Sequence, residues 1–338
     1  MTKNNLVEKT KRIFGKRKNY AEKVLSREFG KKYTDYRKKW IAASKRELLT
    51  NFPLYIQIEH SGKCNLRCPT CLQGIKNLRK NYSKGFNFLG DGLYKKVLIE
   101  AKKHHCPSIA FHNNDEPLLI PNIGERIGAA KELGFLDIIM TTNATLLTKK
   151  KTHELLGSGI TKINFSVDAS NEGDYKKARP GADFKKVVGN IRYFMKERKK
   201  MGLKLPVTRA TCVLTKFTEK NKDNFKKFWG KMVDVVEFQN FQALKGYTES
   251  LRPINSRIDK SFLCNMPWQQ LVIRANGDIL PCCSFYGKGL VLGNIKKDSL
   301  CEVWNGKRMG KIRKELLKNN FNFSPSCKNC SETSYSNN

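Results

Sequence analysis

The chain of 338 residues has no apolar run approaching the ~18 residues of a membrane-spanning helix. Its first twenty residues are basic and lack the apolar stretch of a secretory signal. These two absences predict a cytoplasmic location. Acid is scarce, with 30 Asp and Glu against 65 Lys and Arg and a formal charge of +35. Such an excess suits an anionic partner, whether nucleic acid, a membrane surface or a phosphorylated substrate. The basic runs Lys31-Lys32, Lys149-Lys150-Lys151 and Arg198-Lys199-Lys200 are scattered along the chain, however, as solvated helix faces would be. With 39% hydrophobic and 28% charged residues, disorder throughout is excluded. Eleven cysteines in a reducing compartment predict thiols or metal ligands rather than disulfides.

Three segments follow from the patterning. Residues 1–50 form a basic extension in which Tyr20, Val24, Leu25 and Phe29, then Tyr36, Trp40, Ile41 and Leu48, recur at helical spacing and predict two amphipathic helices. In residues 51–255 strands at 54–59, 108–112, 137–143, 161–167, 207–214 and 233–239 alternate with helices at 91–105, 123–133, 149–156, 184–201 and 219–232. That alternation predicts an α/β fold, a partial (β/α)6 TIM-like barrel of parallel strands with its active site at their C-terminal ends. Residues 256–338 lose the alternation and hold six cysteines, with a hairpin predicted around Asn276-Gly277-Asp278. A small cysteine-rich α+β domain of this size needs a metal to order it.

Immediately after the first predicted strand come Cys64, Cys68 and Cys71, spaced CxxxCxxC. Thiolates are the soft ligands of iron-sulfur clusters, and three of them leave one iron of a four-iron cluster open. A structural zinc site wants four closed ligands. Yet His60, His104 and His105 belong to other elements.

This loop resembles that of the radical SAM superfamily, whose CxxxCxxC motif follows the first strand of a six-unit barrel. The family's Gly-Gly-Glu-Pro turn is matched by Glu116 and Pro117, with Asn113, Asn114 and Asp115 where the glycines would stand. Thr141-Thr142-Asn143 and Ile163-Asn164-Phe165-Ser166-Val167-Asp168 are similar to its third and fourth strand endings. The resemblance implies a [4Fe-4S] cluster on Cys64, Cys68 and Cys71 that reductively cleaves S-adenosylmethionine (SAM) to a 5'-deoxyadenosyl radical. It also implies SAM contacts at Glu116, Pro117, Asn143, Ser166 and Arg179, and a reducing partner such as flavodoxin or ferredoxin.

The segment from Cys264 to Cys330 resembles the SPASM or twitch domain appended to many of these enzymes. No cysteine follows Cys330, so one auxiliary [4Fe-4S] cluster is implied, on Cys264, Cys282, Cys327 and Cys330, with Cys283 and Cys301 as alternates. Cys106 and Cys212 read as ordinary barrel cysteines. A fully ligated second cluster implies electron transfer and hence oxidation of a hydroxylated small molecule such as a sugar or aminocyclitol. Two alternatives stay open, a peptide- or protein-modifying maturase and a nucleic-acid-binding iron-sulfur protein, the latter through charge and Tyr33, Tyr36 and Trp40. The catalytic proton acceptor is not assigned; Lys245, Tyr247 and Arg252 precede the small domain.

Overall fold

A computed structural model describes residues 12–14, 19–82, 84 and 88–337; the helical reading of residues 1–11 and 15–18 lies outside them. Along the chain run β1 (Arg12–Phe14), α1 (Tyr20–Ser44), β2 (Tyr55–Ile58), α2 (Lys76–Tyr82), α3 (Asp91–Lys103), β3 (Ser108–Phe111), α4 (Ile123–Glu132) and β4 (Asp137–Thr142). Next come α5 (Lys149–Gly157), β5 (Lys162–Ser166), α6 (Glu172–Ala178), α7 (Phe184–Lys200), β6 (Val207–Val213), α8 (Lys222–Trp229) and β7 (Val235–Gln239). The C-terminal part adds β8 (Ser256–Ile258), α9 (Met266–Gln269), β9 (Gln270–Ile273), β10 (Asp278–Leu280), β11 (Gly293–Asn294), α10 (Leu300–Asn305), α11 (Lys307–Leu317), α12 (Pro325–Glu332) and β12 (Tyr335–Asn337).

Strands β2 to β7 pair in parallel in their sequence order, each reached by a helical crossover. The barrel stays open. Strand β1 covers its β7 edge antiparallel, and β9 adds in parallel to β2 at the other edge, followed by the antiparallel β10 and β11. These additions move the edges of the sheet out to the short strands β1 and β11, and short edge strands offer few amides for another chain to join. The hairpin expected in a separate small domain is thus part of the barrel's own sheet, and its first strand starts at Gln270 because residues 266–269 form a helical turn.

Side chains alternate with period two along these strands. In β5, Ile163 and Phe165 are fully buried toward the helices, whereas Lys162, Asn164 and Ser166 face inward and are half-buried. Register carries that inner row across the sheet through Gln57, Thr141, Asn164, Ser166, Arg209 and Thr211. The lumen is therefore polar, and the apolar core lies between sheet and helices.

Helix α1 breaks at Gly30, where φ is 59° and ψ −138°, so the extension does form two helical pieces. Its second piece closes the N-terminal end of the lumen. Tyr33, Tyr36 and Trp40 stack edge-on in sequence at 5.7 and 6.2 Å, and Trp40 continues onto Tyr55 of β2 at 5.9 Å. Lys162 bonds Asp137 at 2.7 Å with its ammonium 5.9 Å from the Tyr33 ring. Tyr33 and Tyr36 are 0% and 5% exposed, so neither offers a ring face to a nucleic-acid base. Replacing Tyr36 by Ala should cost about 3 kcal/mol or more in urea denaturation, the usual loss for an aromatic core residue. Ile41→Ala, on the exposed face of the same helix, should cost under about 0.5 kcal/mol; equal losses would refute the plug.

Candidate functional site: two cysteine constellations

The segment after β2 turns back on itself through two short-range bonds, Cys71 N to Cys68 O at 3.0 Å and Gly74 N to Cys71 O at 2.9 Å. The turn is so tight that a Cβ on Gly74 would lie 2.2 Å from the Cys68 carbonyl oxygen. Backbone amides of Leu66 and Gln73 approach Cys64 Sγ and Cys71 Sγ at 3.4 and 3.5 Å. Gln73 Nε2 donates to Gly62 O at 2.9 Å and to Asn114 O at 2.7 Å, tying this loop to the turn after β3.

Burial pushes the Cys64 thiol up to about 12 and the Cys71 thiol up to about 11, and each is raised further by the other cysteines of the loop. Clustered buried thiols of this kind ionise only against a compensating cation, which bound iron supplies. Among the described residues, no three His, Cys, Asp or Glu side chains form a cage for a single ion. A four-iron cluster is held at its corners, so its ligands stand further apart than a single ion's. Three thiols carried on one tight turn, with backbone amides near two of the sulfurs, are the soft donor set such a cluster takes.

The other expected site residues surround the same mouth in different ways. Asn143, just past β4, reaches Cys64 Sγ at 3.8 Å and Asn65 Oδ1 at 3.0 Å. Arg179 ends α6, which Asn171 caps by accepting the Asp174 amide at 2.9 Å. Its guanidinium pairs with Asp168 at 2.7 Å, lies 3.9 Å from Cys68 Sγ and keeps a buried Nε with no hydrogen bond. Ser166 closes β5 on the lumen side. Glu116 is different: its carboxylate accepts Leu118 N at 3.1 Å, Thr142 Oγ1 at 2.5 Å and Asn143 N at 2.8 Å. It braces the turns after β3 and β4, with Pro117 buried behind it. A narrow cleft of only about 10 Å³ between the loop and the ends of β5 and β6 is lined by Pro69, Thr70, Asp168, Val213, Thr215 and Phe217, among others.

One buried group at this mouth was not apparent from sequence. Glu59, one residue beyond β2 and 0% exposed, accepts hydrogen bonds from Tyr82 Oη, Asn113 Nδ2 and Asn114 N, with Arg274 Nε 3.8 Å away. Asn113 and Asn114 thus bind a carboxylate where glycines were expected, while Asp115 accepts the amides of His60 and Ser61 at 2.7 and 3.0 Å. Burial, then the Asp115 charge, pushes Glu59 up to about 7. With the folded value above the unfolded one, the native state holds the extra proton between about 4.5 and 7, so stability falls as pH rises through that window. Denaturation at pH 5 and 8 should show Glu59→Gln with a smaller loss than the parent chain; an unchanged difference would count against the assignment.

The second constellation closes around the helical turn at residues 285–289. Ser284, at the head of this turn, lies 3.8 Å from Cys330 Sγ, Cys327 shares α12 with Cys330, and Cys282 precedes the turn by two residues, so these three expected ligands gather on it. Burial pushes Cys264 and Cys327 up to about 12. A Cβ on Gly287 would lie 2.8 Å from Cys282 Sγ. Cys283 acts on Cys282 but is exposed. Cys301 lies elsewhere on α10, its thiol 3.9 Å from Asn51 O. Cys106 and Cys212 are buried and donate to Ser108 O and Asp168 O, and no disulfide joins any cysteine among the described residues. Lys245 bonds Glu332 at 2.6 Å, which raises its pKa and keeps it an ammonium that cannot accept a proton. Tyr247 is exposed, and Arg252 lies over Tyr335. Among the described residues, no helix is long and apolar enough to cross a membrane.

Comparison with known proteins agrees with this geometry. The profile of the radical SAM superfamily matches residues 58–225, and that of SPASM, an iron-sulfur cluster-binding domain, matches residues 264–331. A tungsten-containing aldehyde ferredoxin oxidoreductase cofactor-modifying protein of Pyrococcus furiosus is 23% identical over 323 residues, covering 82% of this chain and 87% of that protein. An S-adenosyl-L-methionine-dependent 2-deoxy-scyllo-inosamine dehydrogenase of Niallia circulans is 24% identical over 284 residues, covering 82% and 93%. The crystal structure of Streptococcus suis SuiB bound to S-adenosylmethionine is similar in fold, with a TM-score of 0.62 at 20% identity over 83% of this chain and 72% of that one. Gly74→Ala should leave the chain folded by circular dichroism but lower the iron it retains after anaerobic reconstitution; full iron retention would refute the tight-turn requirement.

Proposed function

Because this chain belongs to the radical SAM superfamily and carries a SPASM iron-sulfur domain, we propose that it dehydrogenates a hydroxylated small molecule such as a sugar or aminocyclitol. Cys64, Cys68 and Cys71 would hold the SAM-binding [4Fe-4S] cluster, and Cys264, Cys282, Cys327 and Cys330 the auxiliary one. The chemistry these groups supply when bound is one-electron: SAM cleavage gives a radical that removes a hydrogen atom, and the auxiliary cluster takes up an electron.

One observation carries the reading. The matched SPASM domain contains Cys264, Cys282, Cys327 and Cys330, and a four-iron cluster held by all four would have no open iron for substrate, which favours electron uptake over substrate ligation. A carbinol carbon that has lost a hydrogen atom becomes a carbonyl by giving up one proton from its hydroxyl and one electron, so an acceptor of that kind completes the oxidation. The inward amides and hydroxyls of Gln57, Thr141, Asn164, Ser166 and Thr211 suit a polyhydroxylated or amino-bearing ring, since sites built on hydrogen bonds favour ligands that return them. At the mouth, Arg179 keeps a buried Nε with no hydrogen bond while its Nη1 lies 3.9 Å from Cys68 Sγ, an arrangement that suits the SAM carboxylate. The aminocyclitol dehydrogenase likeness points to the same substrate class, and the basic surface suits an acidic electron carrier such as flavodoxin or ferredoxin.

Anaerobically reconstituted protein given dithionite, SAM and an aminocyclitol should release 5'-deoxyadenosine and a ketone in equal amounts. Replacing Cys64, Cys68 and Cys71 together by Ala should abolish both products. Ala at Cys264, Cys282, Cys327 or Cys330 should reduce bound iron from about eight to about four per chain, retaining 5'-deoxyadenosine release while losing the ketone. Ketone formation without the second set would overturn the oxidation step, and SAM cleavage without the first set the whole proposal.

A further inference from the structure

Gln242 lies three residues past β7, bridged to Ser334. Its side-chain nitrogen approaches Cys330 Sγ at 3.0 Å and Ser334 Oγ at 3.2 Å. Its carbonyl oxygen accepts the Ser284 hydroxyl at 3.0 Å, and that hydroxyl in turn accepts Tyr286 N at 3.3 Å. The Cys330 carbonyl, which can only accept, lies 3.4 Å from the same nitrogen, and Ser334 Oγ donates to that carbonyl at 2.9 Å, so the NH2 side faces Cys330 and its hydrogens serve Cys330 Sγ, Cys330 O and Ser334 Oγ.

The N-terminal extension brings a positive charge to another of these cysteines, at the Cys264 backbone. Arg46, just beyond α1, has a φ of 63°, a left-handed conformation that costs a non-glycine residue free energy and persists only when its surroundings hold it. They do: Nε donates to Cys264 O at 3.1 Å, Nη1 to Leu316 O at 2.6 Å, and the guanidinium lies 5.4 Å from the centre of the Trp268 ring. Its Nη2 is buried with no hydrogen bond. The charge of Arg46 acts on Cys264.

Hydrogen bonds to ligand sulfurs and nearby positive charge both favour the more negative, reduced form of an iron-sulfur centre. We propose that Gln242 and Arg46 are positioning residues that raise the potential of the auxiliary cluster and so poise it to accept an electron. This rests on Cys264 and Cys330 being ligands of that cluster. It also gives the N-terminal extension a part in the chemistry, through one arginine that reaches the small domain.

The test is an anaerobic redox titration of the full chain with both clusters, following by electron paramagnetic resonance the signal that SAM leaves unchanged. Gln242→Leu should lower the reduced-to-oxidised ratio of that cluster about tenfold at fixed poise, the effect of one charge-assisted hydrogen bond, or about 59 mV for one electron. Arg46→Met should shift it in the same direction, and Arg46→Lys should restore part of the shift. The other cluster's potential and dithionite-driven release of 5'-deoxyadenosine should not move. An unshifted midpoint in Gln242→Leu with full iron overturns the proposal, and Arg46→Met decides it by the same criterion if Gln242→Leu binds iron poorly. Retention of the second signal in Cys330→Ala would instead overturn the ligand assignment.

Discussion

Strands β2 and β9 pair in parallel from Tyr55 with Gln270 to Ile58 with Ile273, and this seam joins the two halves of the chain. The strand that delivers Cys64, Cys68 and Cys71 lies beside the strand whose hairpin leads to Cys282. Just past the seam, Glu59 N bonds Ile273 O at 2.8 Å and Arg274 leans over the Tyr82 ring at 4.3 Å. The spacing of the two cysteine sets is thereby set by backbone hydrogen bonds, which are more rigid than a packed domain interface.

The unusual charge also has a structural side. Several of the scarce acids are inside: Glu59, Glu116, Asp137, Asp168, Glu197, Glu237 and Asp259 are all buried among the described residues. They brace turns and pair with arginines and lysines, as Asp168 does with Arg179 and Asp137 with Lys162. A buried carboxylate without such partners would carry a large desolvation cost. Committing acids to the interior of a lysine-rich chain leaves the surface positive, whatever partner that surface also serves.

Much of this was legible in the sequence, because the strands and crossover helices of the barrel follow the period of their apolar residues. The spacing of Cys64, Cys68 and Cys71 and the positions of Asn143, Ser166 and Arg179 at strand and helix ends were also readable. What was not readable depends on contacts between distant segments. Helical spacing put Tyr36 and Trp40 on one face, but only the fold shows that Tyr33 joins them and that this face meets Tyr55 at the end of the lumen. Asn113 and Asn114 looked like defects in a glycine turn until Glu59 proved to be their partner. Nothing in the spacing of Cys301 separates it from a ligand; the direction of α10 does.

Two glycines show what both cysteine sites require of the backbone. Gly74 leaves no room for a Cβ against Cys68 O, and Gly287 leaves none against Cys282. In each case the chain beyond a cysteine folds back over it, excluding water and aiming amides at sulfur, as Gln73 N is aimed at Cys71 Sγ. A side chain there would push the covering strand away and admit solvent, which stabilises a charged sulfur less selectively than a fixed dipole does. The same economy separates the two ends of the lumen. Aromatic packing of α1 shuts the end without cysteines, so the half-buried polar rows of β4, β5 and β6 open toward the strands' C-terminal ends, where the loop of Cys64, Cys68 and Cys71 stands, and a ligand that uses those polar groups approaches them from that side.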